Sequence, residues 1–160
     1  MFNLMFNSVF NSPRPASPKS SLNSTFGGAA TILRGTIDTG YYKQIIFPLL
    51  FSNRLCDIFD EETLIAVHES SGDQDFALFQ ANHRFQVPTE SHWKEPRKVS
   101  SDVGGAIQQT PQAIQIANQA KPFGILGDAP WSYKHRLSGA MLRELLEHFS
   151  MKAFGAEISC

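Results

Sequence analysis

Basic side chains are the groups in this sequence whose type and spacing best suit binding chemistry, because they can contact phosphates or an acidic partner. Lys43 and Arg54 are eleven residues apart, close to three helical turns, so a helix would carry both on one face. Asp57 and Glu61 fall near that face, which keeps intramolecular ion pairs open as the alternative. The candidate contacts are Arg34, Lys43, Arg54, Lys134 and Arg136, and a further small cluster comprises Lys94, Arg97 and Lys98.

No set of residues has the spacing of a catalytic centre. The sequence contains no GxxxxGK phosphate loop, no HExxH zinc motif and no GxSxG nucleophile elbow. Glu144 and His148 are four residues apart and could share a metal, but a solvated pair on a helix is the favoured interpretation. Gly27 and Gly28 precede a predicted helix rather than follow a strand, which favours close helix packing over nucleotide binding. Residues 60–62 (DEE) are interpreted as an acidic helix end without an acid–base role.

The element that positions Lys43 and Arg54 is a long central helix. It is predicted over about residues 41–62, with an end at Val67 as the alternative. Asp38 or Thr39 can cap its start. Its middle is apolar nearly all round, which places it at the centre of the domain, and Pro48 predicts a kink there.

Three further helical segments flank the central one. Residues 26–34 favour a short helix that ends at Gly35. A second region covers residues 102–120, where the Thr110–Pro111 pair acts either as a kink or as the start of another helix, and its apolar side comprises Val103, Ile107, Ile114 and Ala117. Ser138 caps a final helix to about Ser150, with Met141, Leu142, Leu145, Leu146 and Phe149 inward and Arg143, Glu144, Glu147 and His148 outward.

The predicted fold is mainly α: an irregular helical bundle with a kinked central helix and at most one short extended segment, at residues 84–87. Residues 1–24, in which a Phe-Asn repetition leads into a Pro- and Ser-rich stretch, are predicted to be a disordered leader. The helical domain would then span residues 25–150, followed by a tail over residues 151–160.

Composition excludes several classes of protein. With 160 residues and a formal net charge of −1, the chain has room for one core and lacks the overall basic field of a stand-alone nucleic-acid binder. Cys56 and Cys160 could form a single disulfide, but they give no disulfide framework and no zinc spacing, so a reducing cytoplasm is the simpler interpretation. No apolar run could span a bilayer, and the opening lacks the basic start of a signal peptide. We expect a cytoplasmic protein without a membrane partner.

Three ordered sets of residues resemble the opening of type I restriction–modification DNA methyltransferase (modification) subunits. The first is ATILRG (residues 30–35) followed by YKQIIFPLLFSNRLCD (residues 42–57). The second is RFQVP (residues 84–88) with Trp93, and the third is GILGD (residues 124–128) with LLEHFS (residues 145–150). Their order and spacing agree over about residues 26–150. The chain therefore resembles the N-terminal helical domain of that family.

The resemblance implies a function in DNA modification. Full-length subunits of the family are adenine-specific DNA methyltransferases that use S-adenosylmethionine and work with a DNA-reading specificity subunit, often with a restriction subunit as well. Their N-terminal domain helps to hold DNA and the partner subunits. The sequence has no Pro-Pro dipeptide, so the family's Asn-Pro-Pro-aromatic motif for a flipped adenine is missing, and no strand–glycine–helix unit is present. We therefore expect no cofactor in this chain, which would stop before the catalytic domain, as a truncated gene product does, and be inactive alone.

Two other functions stay open beside this one. The chain could be half of a split DNA methyltransferase that a second chain completes in trans, or a free-standing protein-interaction bundle unrelated to DNA. Under the first interpretation, Arg54→Glu is expected to weaken complex assembly or DNA retention while the isolated domain stays folded, because Arg54 would lie on a polar helix face.

Overall fold

Helices make up the fold. The computed structural model describes residues 19–120 and 137–151, and no strand occurs in these two ranges. Six α-helices are present there: α1 (Lys19–Leu33), α2 (Tyr42–Glu69), α3 (Gln74–Ala77), α4 (Glu95–Lys98), α5 (Val103–Ala117) and α6 (Gly139–Met151). Three 3₁₀ turns lie between them, at Thr39–Tyr41, Gln80–Asn82 and Thr89–Ser91. The prediction of a mainly α fold is confirmed.

The central helix α2 is longer than the sequence pattern indicated. It ends at Glu69, beyond both predicted ends, and Asp38 caps the 3₁₀ turn that leads into it by accepting a hydrogen bond from the Gly40 amide (3.4 Å). Buried residues surround its middle, as the apolar composition predicted. The helix continues through Pro48, whose carbonyl accepts a hydrogen bond from the Ser52 hydroxyl at 2.7 Å. The kink at Pro48 stays a prediction.

Helix α1 begins earlier than predicted, at Lys19 rather than Phe26, and so includes the last residues of the segment predicted as a leader. Serine and asparagine in its first turns are weak helix formers, but packing can outweigh their propensity. Thr25 and Ala29 are fully buried, and α1 packs against α6 and α2. The predicted stop is confirmed: Gly35, just after the helix, has φ +81°, a conformation that favours glycine.

The last helix, α6, supplies one side of the core. Its predicted cap is confirmed, because the Met141 amide donates to the Ser138 hydroxyl at 3.2 Å. Of the five predicted inward residues, Met141 is partly buried. The other four are fully or almost fully buried: Leu142, Leu145, Leu146 and Phe149. The prediction that His148 points outward is wrong, since its Nε2 lies 2.8 Å from the Thr25 carbonyl oxygen. The earlier start of α1 explains the difference, because it brings Thr25 and Gly28 against the imidazole.

Helix α5 runs without a break through Pro111, so the alternative of a second helix that begins there is wrong. Its inner side includes Val103, Ile107 and Ile114, as predicted, but Ala117 is exposed. The neighbouring Asn118 is buried instead, because its side chain forms hydrogen bonds with the backbone of Gln86. It accepts a hydrogen bond from the Gln86 amide (2.8 Å) and donates to the Gln86 carbonyl (2.8 Å).

Burial alternates along residues 84–87, as predicted for an extended segment. Phe85 and Val87 are buried, whereas Arg84 is exposed and Gln86 is half-buried. No strand pairs with it among the described residues. The amide group of Asn118 takes over the hydrogen bonds that a neighbouring strand would provide, which fixes this segment beside the end of α5.

Cys56 lies in the core beneath the residues that follow α3. Burial raises the pKa of its thiol to about 12, even though the Trp93 backbone amide donates to its sulfur at 3.3 Å. The thiol therefore stays protonated at neutral pH and is a poor nucleophile and metal ligand. Cys160 lies outside the described residues, so the single disulfide is untested. Within the described helices, none is long and apolar enough to cross a membrane.

A candidate basic contact surface

The turn between α1 and α2 positions two of the predicted contact residues. Gly35 reverses the chain after α1, and Asp38 caps the 3₁₀ turn before α2. Ile37, between them, is buried in the core, and the hydroxyl of Thr36 lies 3.6 Å from the Met141 sulfur. These contacts hold the turn against the body of the domain, so residues that flank it occupy fixed positions on the surface.

Arg34 and Lys43 flank this turn, and both are exposed. Within the described residues, neither side chain has a hydrogen bond or an ion pair. Tyr41, which precedes α2, is also partly exposed at the turn. We name Arg34, Tyr41 and Lys43 the basic turn. Cations that are not held in an ion pair can bind phosphate or carboxylate oxygens from another molecule.

Arg54 does not belong to this surface. The prediction that it lies on a polar helix face is wrong, because only 5% of the residue is exposed. Its Nη1 lies 3.7 Å from the Glu61 carboxylate, which confirms the intramolecular ion pair left open by the sequence. Lys43 and Arg54 do share a helical register, but α2 is covered by other elements around Arg54 and uncovered at Lys43. The helical register alone could not reveal which stretch of the face is covered.

The cluster of Lys94, Arg97 and Lys98 is exposed, yet each member has an acidic partner. The ion pairs are Lys94–Asp60 (2.9 Å), Arg97–Glu147 (3.2 Å) and Lys98–Glu95 (2.6 Å). Residues 60–62 lie inside α2 rather than at its end, which corrects the sequence interpretation. Asp60 and Glu62 pair with residues that follow α3, including Arg84 with Glu62, whereas Glu61 pairs with Arg54 on α2 itself. These charges join α2 to its neighbours and leave little net field.

The ionisation of Asp60 makes the stability contributed by this network depend on pH. Burial alone would raise its pKa, but hydrogen bonds from His92 and Lys94 outweigh burial and lower the pKa below 3.8. His92 Nδ1 accepts from the Lys94 amide (3.2 Å), so Nε2 carries the proton that bonds Asp60 at 2.9 Å. A lowered folded-state pKa means that this contribution to stability is complete above the unfolded-state value and is lost as pH falls through the folded-state value.

We therefore expect Asp60→Asn to flatten the acid side of the stability profile. Denaturant unfolding between about pH 4 and pH 2 should show a smaller loss of unfolding free energy than in the unmodified chain. Asp75→Asn is the matched control, since Asp75 is exposed and makes no side-chain hydrogen bond or ion pair in the part of the chain that is described. Parallel profiles for the unmodified chain and Asp60→Asn would contradict this assignment.

The family model described as the HsdM N-terminal domain matches residues 22–149, which includes all five predicted contact residues. The chain belongs to this family. HsdM is the modification subunit of type I restriction–modification systems, so the resemblance in the sequence is confirmed. No curated protein matches the chain.

Two glycines of this HsdM N-terminal domain lie close against side chains of the same chain. A Cβ at Gly28 would collide with the His148 ring, and one at Gly105 would collide with the Asp102 carboxylate, which caps α5. The interpretation of the glycine pair as a close packing contact is confirmed for Gly28, whereas Gly27 faces open space.

The remaining predicted residues of the HsdM N-terminal domain have mixed outcomes. Lys134 and Arg136 lie outside the described residues. Glu144 and His148 do not converge on a common site, since Glu144 is exposed and His148 faces α1; no cluster of three potential metal ligands occurs in the two described ranges. Sequence reasoning missed Tyr41, and the only signal for it was its position two residues before Lys43, in the turn that leads into α2.

Proposed function

We propose that this HsdM N-terminal domain supports DNA binding and subunit assembly in a type I modification enzyme and does not methylate DNA by itself. The observation that carries the proposal is the basic turn, where Arg34 and Lys43 are exposed and make no ion pair within the described residues. The core fixes the backbone on both sides of the turn, so binding has to order only the two side chains.

Phosphates are the ligand class that suits these cations best. Contacts from Arg and Lys to phosphates position a protein on DNA without reading its sequence. The chain has a formal net charge of −1, so two such contacts give weak binding on their own. We therefore place the contact inside an assembly, where a specificity subunit reads the DNA and a restriction subunit can join. This assembly acts in the cytoplasm.

The double variant Arg34→Glu/Lys43→Glu tests this proposal. The chain is assembled with the other subunits of its system, and the affinity for a short mixed-sequence DNA duplex is measured by fluorescence anisotropy. Reversing both charges should weaken binding roughly tenfold or more, because two phosphate contacts are lost and two repulsions appear. Thermal unfolding of the variant should match that of the unmodified chain, since both residues are exposed.

Lys98→Glu is the matched control, because Lys98 is an exposed cation that already pairs with Glu95. It should leave the affinity for DNA nearly unchanged. Equal affinities for the double variant and the unmodified chain would refute the role of the basic turn in DNA binding. If subunit assembly is lost instead, the same surface binds a protein partner, which supports assembly but not direct contact with DNA.

S-adenosylmethionine is proposed to bind outside these residues, in the catalytic part of the enzyme. Calorimetric titration of the cofactor into the purified chain should therefore show no heat of binding. Micromolar binding would mean that a cofactor site exists in the chain and would overturn this part of the proposal. Methyl transfer that appears only when a separate chain with the Asn-Pro-Pro-aromatic motif is added would favour the split methyltransferase.

A further inference from the structure

One end of the domain carries large apolar side chains that the core does not cover. Two of them lie on the last two turns of α2, and three lie on or just after α3, which packs against α2. We name this surface the apolar end: Leu64, Ile65, Phe76, Leu78 and Phe79. Leu64, Leu78 and Phe79 are more than half exposed, and the rings of Phe76 and Phe79 contact each other at 5.8 Å. Such a group of exposed apolar residues is typical of a binding surface.

The charge around the apolar end is negative. Residues 63–83 contain no lysine or arginine, and their three acids are Glu69, Asp73 and Asp75, all of which are exposed. Asp73 uses its carboxylate to accept the Phe76 amide hydrogen, which caps α3. An occupant of this surface must therefore bring apolar side chains together with positive charge.

A second copy of the chain fits poorly, because its apolar end would bring the same acids against these ones. The first residues of the chain have the required chemistry. Residues 1–37 contain no Asp or Glu and include three cations, Arg14, Lys19 and Arg34. Seven of the first ten residues are large and apolar: Met1, Phe2, Leu4, Met5, Phe6, Val9 and Phe10.

These residues also have a regular pattern. The sequence MFNLMFNSVFNS repeats a four-residue unit three times, with phenylalanine at positions 2, 6 and 10 and asparagine at positions 3, 7 and 11. Residues four apart lie on the same side of a helix. A helix over this segment would carry three phenylalanines along one side and the asparagines beside them, which is the pattern of helices that bind in apolar grooves.

The chain is long enough for this contact. Helices α1 and α2 are joined by a short turn, and the Phe26 and Phe47 rings contact at 5.7 Å. At 1.5 Å per residue, Lys19 lies about 10 Å before Phe26, and Leu64 lies about 26 Å beyond Phe47. If the two helices run antiparallel, about 15 Å separates Lys19 from the apolar end along the axis. The eight residues 11–18 can span about 26 Å, which covers that separation.

We infer that residues 1–10 bind in cis to the apolar end, with the phenylalanines of the repeat against Phe76, Leu78 and Phe79 and with Arg14 near the acids. The contact would cover an apolar surface near the end of α2, whereas the basic turn lies at the start of that helix. It does not depend on the proposed role in DNA binding, because it uses none of the same residues.

Hydrogen–deuterium exchange of the full chain tests the inference. Phe6→Asp should speed exchange at residues 62–80 roughly tenfold, because the buried area of one phenylalanine is lost from the contact. Phe79→Asp should give the same increase in exchange within residues 1–10. Phe79 is 59% exposed, so this variant should keep the fold. Ile116→Asp is the matched control, since Ile116 is 65% exposed on α5 and should alter exchange in neither segment.

A synthetic peptide of residues 1–18 provides a second readout. It should bind the Phe6→Asp chain, whose apolar end is then uncovered, and it should not bind the Phe6→Asp/Phe79→Asp chain. High salt should weaken the binding, because opposite charges take part. Unchanged exchange in both Phe6→Asp and Phe79→Asp would overturn the inference. So would a slowing of exchange at residues 62–80 that grows with protein concentration, since that result would assign the surface to a second molecule.

Discussion

Replacing Arg54 by glutamate is expected to lower the free energy of unfolding by about 3–5 kcal/mol. Arg54 is buried, and its guanidinium lies 3.7 Å from the Glu61 carboxylate. A glutamate there would bury a negative charge beside Glu61 and one turn from Asp57, where little water can solvate it. Removing one partner of a buried pair leaves the other charge uncompensated, and reversing the charge adds repulsion. Circular dichroism during urea unfolding measures the loss.

Arg34→Glu is the control for this variant, because it makes the same chemical change at an exposed residue of the same type. Its unfolding free energy should stay within about 0.5 kcal/mol of the unmodified chain. Arg54→Met should fall between the two, since methionine keeps the apolar contacts without a charge. An Arg54→Glu chain as stable as the Arg34→Glu chain would show that the Arg54 side chain is not confined to the interior.

Replacing Leu145 by alanine is expected to lower the free energy of unfolding by about 2–5 kcal/mol. Leu145 is completely buried on α6, the helix that packs against α1, α5 and α2. Alanine removes three heavy atoms of apolar contact and leaves a cavity that helices on several sides cannot all close. The melting temperature should fall by roughly 6–20 °C, which differential scanning calorimetry can measure.

Ile116→Ala provides the comparison, since Ile116 is 65% exposed on α5 and lies outside the apolar end. The same number of heavy atoms is removed there from a side chain that water already reaches, so the melting temperature should change little. Similar melting temperatures for the two alanine variants would contradict the packing of α6 into the core.

Helix periodicity predicted most of the fold. The apolar stripe of α6 and the all-round apolar middle of α2 identified buried helices, because apolar residues at helical spacing are typical of a helix that packs against a core. Start and stop residues were equally informative where one side chain decides the conformation, as at Ser138 and Gly35. The start of α1 was missed because contacts with α6, rather than local propensity, hold Thr25 in a helix.

The candidate site was harder to predict, because it depends on what is exposed. Arg34, Lys43 and Arg54 look alike in the sequence, and only tertiary packing separates the exposed pair from the buried one. The apolar end was missed for the same reason. Leu64 and Ile65 belong to an apolar helix, and nothing in the local pattern shows that the core stops before them.

In the assembled enzyme, the basic turn is proposed to contact DNA phosphates. The salt dependence of DNA binding tests it most directly, because each phosphate contact releases counterions and adds about 0.9 to the slope of log K against log salt. The unmodified assembly and the Arg34→Glu/Lys43→Glu assembly should differ by about 1.8 in that slope. Equal slopes would mean that neither cation touches a phosphate, and the proposed DNA contact of this domain would be wrong.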